Sequence, residues 1–138
     1  MWFAKRCHRV VSVEDNELWY LKVKKKLEEH GVTNVEYKVK NTNEYHILDE
    51  YTDGYFDFIL IDGVQRDKCA RSALPKIREG GYIYLDNTDQ RDHPSGNEVR
   101  IAEETLLNAA KEKGGQVKYF VDLTPTYVAV TQGMLVNL

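Results

Sequence analysis

Two segments, Tyr55–Gly63 (YFDFILIDG) and Leu74–Asn87 (LPKIREGGYIYLDN), decide how this chain is read. Tyr55 to Ile61 is short and almost wholly apolar, the composition of a central strand covered on both faces. Ala70, Ala73, Leu74 and Ile77 come next at helical spacing, with Pro75 kinking or restarting the last turn and Gly80–Gly81 ending the helix. Tyr82 to Leu85 reads as another buried strand. Strand, helix and strand at this spacing make a right-handed βαβ unit, and ligands of such sheets bind beyond the carboxyl ends of the strands. Asp62 stands at one of those ends and Asp86–Asn87 at the other.

The alternation continues outward in both directions. Upstream, Arg9 to Val13 is a β-branched run ending in Glu14-Asp15-Asn16, followed by a helix over Glu17–His30. In that helix Trp19, Val23 and Leu27 form the apolar stripe and Gly31 is the stop. Asn34 to Val39 alternates as a strand, and Lys40 to Gly54 is polar with one helical turn around Tyr45 to Tyr51. Downstream, Asn97 caps a helix whose Val99, Ala102, Leu106, Ala109 and Ala110 share a face, ended by Gly114–Gly115. Val117 to Val121 and Tyr127 to Val130 are closing strands around a turn holding Pro125. The pattern predicts an α/β domain with an open, mostly parallel sheet, and 138 residues make it a single domain.

Composition narrows the partners. With 42% hydrophobic and 30% charged residues the chain is an ordinary globular protein, and a net charge of −3 gives no basic field for nucleic acid or an anionic membrane. Lys22, Lys24, Lys25 and Lys26 run into Glu28–Glu29, a solvated helix face with charge pairing. Cys7 and Cys69 form no Cys-x-x-Cys motif and read as reduced thiols in a cytoplasmic protein. No apolar run approaches membrane-spanning length.

The chemistry gathers at strand ends: Glu14–Asp15, Asp62 and Asp86–Asn87. One such carboxylate is readily a cap or a solubilising loop residue; three on one edge of one sheet are harder to call accidental. An acid ending the second strand of a dinucleotide-type fold accepts hydrogen bonds from ribose hydroxyls, which is the use Glu14 would have. His93 lies in a polar connection, Asp57 is placed for a structural hydrogen bond, and Trp19 and the tyrosines fill the core and its margins.

VSVEDN (Val11–Asn16), YFDFILIDG and LPKIREGGYIYLDN resemble, in order and spacing, three successive motifs of class I S-adenosylmethionine-dependent methyltransferases, and the resemblance extends over most of the chain. It implies a Rossmann-like methyltransferase fold, mostly parallel with an antiparallel last strand. It implies S-adenosylmethionine as cofactor, held by Glu14, Asp15, Asn41, Thr42 and Asp62, and a small hydroxylated substrate with Asp62 as its catalytic residue. The family's first motif, an apolar strand and a Gly-rich turn, has no counterpart among these residues, and Met1 to Arg9 resembles the helix after that turn. The expectation is therefore a domain that is N-terminally truncated, its first strand missing, with self-association covering the gap.

A narrower resemblance, to cation-dependent O-methyltransferases of the catechol and caffeoyl-coenzyme A kind, implies Mg²⁺ at Asp62, Asp86 and Asn87. Hard oxygen ligands suit that ion, which would lower the pKa of a substrate hydroxyl. Gln65 stands where the catechol enzyme has its lysine base. Two other readings remain: an inactive, methyltransferase-like binding module, and a different nucleotide-binding α/β protein sharing only the ribose role of Glu14.

Overall fold

The computed structural model describes residues 1–124 and 129–138, and the chain divides into two compact units, residues 1–45 and 46–138. In the first unit, strand β1 (Val10–Glu14) pairs in parallel with β2 (Val35–Val39), Val10 opposite Val35 and Glu14 opposite Val39. Helix α1 (Glu17–Glu29) joins them. Asn16 starts it, its Oδ1 accepting from the Trp19 amide at 2.9 Å, and Gly31, at φ +61°, turns the chain out of it. The expected stripe holds at Val23, half-buried, and at Leu27, but not at Trp19, whose place Tyr20 takes. Tyr20 stacks on Tyr37 with ring centroids 4.8 Å apart and Leu27 is buried, while Trp19 is 54% exposed. Met1 to Arg9 holds one short 3₁₀ turn, Phe3–Lys5, rather than a helix.

The second unit is a four-stranded sheet in the order β3-β4-β6-β5. Its strands are β3 (Phe56–Ile61), β4 (Ile77–Leu85), β5 (Gln116–Thr124) and β6 (Ala129–Asn137). β3 and β4 are parallel, whereas β6 runs antiparallel to both β4 and β5. Helices α2 (Arg66–Lys76) and α3 (Asn97–Lys113) pack together, and their small residues Ala70, Ala73, Ala102, Ala109 and Ala110 are all buried in the common core. Beneath them lie Ile61, Ile83, Leu85, Met134 and Val136, all buried. Leu106 completes this core, and the α3 face expected from spacing is buried at every position.

Several expectations need correction. β3 is an edge strand of its sheet and is covered on one face: Ile61 is buried, but Phe58 and Leu60 are about 40% exposed. α2 ends at Lys76, immediately after Pro75, and Gly80–Gly81 lie inside β4, where Gly80 takes φ +71° beside a register shift in the β3–β4 ladder. A proline ring removes an amide from the last turn, so the helix has little to gain by running on to the glycines. Asn97 is the first residue of α3 rather than its cap, which is Gly96. Residues 40 to 54 form turns without a helix. The closing pair is antiparallel as expected, but the turn at Pro125 and the strand start at Tyr127 lie outside the described residues.

Candidate functional site

Within the first unit the carboxyl ends of β1 and β2 meet, with the Lys40 amide donating to the Glu14 carbonyl at 3.0 Å. This register brings the expected cofactor residues Glu14, Asp15, Asn41 and Thr42 to one end of the sheet. Thr42 donates its hydroxyl to Asp15 Oδ2 at 3.2 Å, bridging the two strand ends. Asn41 folds its own loop, Oδ1 accepting from the amides of Asn43 (3.0 Å) and Glu44 (3.2 Å). Glu14 Oε1 accepts from the amides of Asp15 (3.1 Å) and Asn16 (3.0 Å), whereas Oε2 makes no hydrogen bond among the described residues. One oxygen shapes the turn. The other remains an acceptor.

Within the second unit Ile61 is in register with Leu85, so Asp62 and Asp86 stand next, at the tips of neighbouring parallel strands. The Asp86 amide donates to the Ile61 carbonyl at 3.1 Å and extends the ladder by one step. Burial, and then the like charge and hydrogen bonding of Asp86, raise the Asp62 carboxyl above the ordinary carboxylate range against the opposing pull of Arg66. Tyr84, two residues before Asp86, is raised by burial and then by Asp86 and Asp62. Its ring lies over β6 at Gly133, where a Cβ would come within 1.9 Å of the Tyr84 hydroxyl; glycine is what admits the ring. Tyr84, Phe58, Phe120 and Asp86 line a groove of about 440 Å³ along this sheet. A second depression of about 310 Å³, among Arg91, His93 and Arg100, includes neither strand-tip acid.

Sequence reasoning missed Arg66. It opens α2 and donates from Nη2 to Asn87 Oδ1 at 2.9 Å, and the same nitrogen stands 3.7 Å from Asp62 Oδ1. A signal was available, because a cation is disfavoured in the first turn of a helix unless acids face it. This contact also bears on Mg²⁺. The Asn87 oxygen that an ion would need is already bound to a guanidinium, so the residues as arranged do not fit Mg²⁺. Cys69 offers no nucleophile, since burial pushes its thiol up to about 11. His93 bonds Ser95 Oγ at 2.7 Å within its own loop.

The fold recurs in solved structures. An O-methyltransferase of Bacillus cereus in complex with SAH superposes with a TM-score of 0.76 at 17% identity, over 94% of this chain and 62% of that one. TomG of Streptomyces achromogenes, an O-methyltransferase of tomaymycin synthesis in complex with SAM, gives 0.77 at 20% identity, over 99% and 66%. A SAM-dependent methyltransferase of Methanosarcina mazei gives 0.64 at 15% identity, over 99% and 84%. The fold is therefore the Rossmann-like one of class I S-adenosylmethionine-dependent methyltransferases. The chain spans about two thirds of the length of the first two. No family model and no curated protein matches the sequence. Among the described residues no helix is long and apolar enough to cross a membrane.

Proposed function

We propose that the protein transfers a methyl group from S-adenosylmethionine to a hydroxyl of a small substrate rather than of a nucleic acid. The observation that carries this reading is the pairing of Asp62 and Asp86 at the tips of neighbouring parallel strands, where burial and like charge raise the Asp62 carboxyl, in a fold of which two solved examples hold SAH and SAM. Bound S-adenosylmethionine would supply an electrophilic methyl on a sulfonium. This chain's residues would orient the partners and handle one proton. Glu14 Oε2 would accept from the ribose hydroxyls, with Asp15, Asn41 and Thr42 shaping the surface for the nucleoside. Asp62 would take the proton of the substrate hydroxyl as its oxygen attacks, a role for which an elevated carboxyl is better matched than an ordinary one. No nucleophilic side chain is required, because positioning supplies most of the catalysis of such a displacement.

The reading includes a cytoplasmic location and self-association at the edge strand β3, where Phe58 and Leu60 are exposed. Incubation with methyl-tritiated S-adenosylmethionine and a panel of phenols and catechols tests the activity. Label in product that vanishes in Asp62→Asn supports the assignment; label that persists in the variant removes Asp62 from it. Light scattering that shows a monodisperse monomer at micromolar concentration would remove the self-association.

A further inference from the structure

Two non-glycine residues among those described have left-handed backbone, Gln65 (φ 51°) and Asn87 (φ 57°), and they meet at one contact. Gln65 immediately precedes Arg66, and Asn87 supplies the oxygen that Arg66 holds. Such geometry is readily adopted by Asn but disfavoured for Gln, where it persists because the surroundings over-determine it. Arg66 itself is in an unfavourable place. It occupies the positive end of α2, its side chain is only 12% exposed, and its Nε is buried without a hydrogen-bond partner. Three local costs converge on one guanidinium, and what it gains is the strand-tip oxygens of Asn87 and Asp62.

We infer that Arg66 is a positioning residue that serves as the fixed cation of the Asp62–Asp86–Asn87 tip, occupying the place a divalent ion would take and excluding that ion. A guanidinium tethered to α2 fixes the direction of Asn87 and places positive charge beside Asp62, which faces Asp86, without a metal. The role assigned to the tip rests on the proposed methyl transfer; the identity of its cation does not.

Mn²⁺ titration followed by electron paramagnetic resonance tests this on the full chain, comparing wild type with Arg66→Ala and with Arg66→Met, which keeps an apolar stem in case the smaller side chain fails to fold. The variants should bind Mn²⁺ about tenfold more tightly than wild type, the scale of one charged hydrogen bond released. Adding Asp62→Asn should abolish that gain. Equal affinities in wild type and the variants, whether all bind or none does, would overturn the inference. No methyl transfer enters the titration, so its failure leaves the proposed activity standing.

Discussion

Glu103 and Asp62 are two carboxylates of the same unit, and the more deeply buried one is the better partnered. Glu103, 1% exposed, has both oxygens matched: Arg91 Nη1 donates to Oε2 and the Tyr119 hydroxyl to Oε1, each at 2.6 Å. Asp62 is about half exposed, yet it faces another acid and has one guanidinium nitrogen at 3.7 Å. Depth alone therefore does not mark chemistry. A carboxylate whose acceptors are all satisfied is a fastener between α3, β5 and the 3₁₀ turn at Thr88–Asp92. A carboxylate left in like-charge company has its affinity for a proton raised, the kind of shift found where a group is used in proton transfer.

The contrast can be broken in four ways. Asp62→Asn should lower methyl transfer by about 10³-fold, within the range for losing a general base, while the melting temperature stays level or rises. The stability sign comes from the raised carboxyl, since the fold favours the neutral form there and the amide supplies it permanently. A melting temperature that falls with activity would place Asp62 in the class of Glu103. Glu103→Ala should do the opposite, costing about 3 kcal/mol because Arg91 and Tyr119 lose their acceptor. A urea midpoint that barely moves would show the network to be incidental.

Smaller effects sharpen the picture. In a form of the protein that binds S-adenosylmethionine measurably by calorimetry, Glu14→Ala should weaken it by about 2 kcal/mol, roughly thirtyfold. Unchanged affinity would confine Glu14 to its turn. Tyr119 gives the smallest effect. Burial, and then the Glu103 carboxylate, push its phenol up to about 12 from the usual value of 10.0. A raised folded-state value means that this stabilisation is present below pH 10 and is lost as pH climbs from about 10 to about 12. Tyr119→Phe should flatten that alkaline decline by less than about 1 kcal/mol, because the residue is 40% exposed and screened. Identical alkaline melting profiles would count against it.

Local pattern made much of the fold legible. The α3 face from Val99 to Ala110 could be read because helical spacing and burial report the same thing. The strand-tip acids were legible for a related reason: an apolar run has a definite end, and the next residue in each strand of a parallel unit lies on one edge. Coverage of β3 was not legible, because a continuous apolar run does not say whether a second layer covers it, and Phe58 and Leu60 are exposed. In α1 the buried stripe begins at Tyr20 rather than Trp19, because pairing with Tyr37 on β2 selected the ring, and that is information from another element. Arg66 was hidden by the ordinary expectation that a charged helix residue faces water.

Strand β6 sits between β4 and β5, although it follows both along the described chain. On the ribosome the order of appearance and the order of assembly therefore disagree. β5 emerges with no neighbour in its own sheet, and Leu85 of β4 waits for Met134 before that side of its ladder can form. Helices α2 and α3 can coil as they emerge, but the surface they cover is incomplete until Met134 and Val136 arrive. Completion of the unit containing the strand-tip acids thus waits for its last strand and depends on contacts distant in sequence.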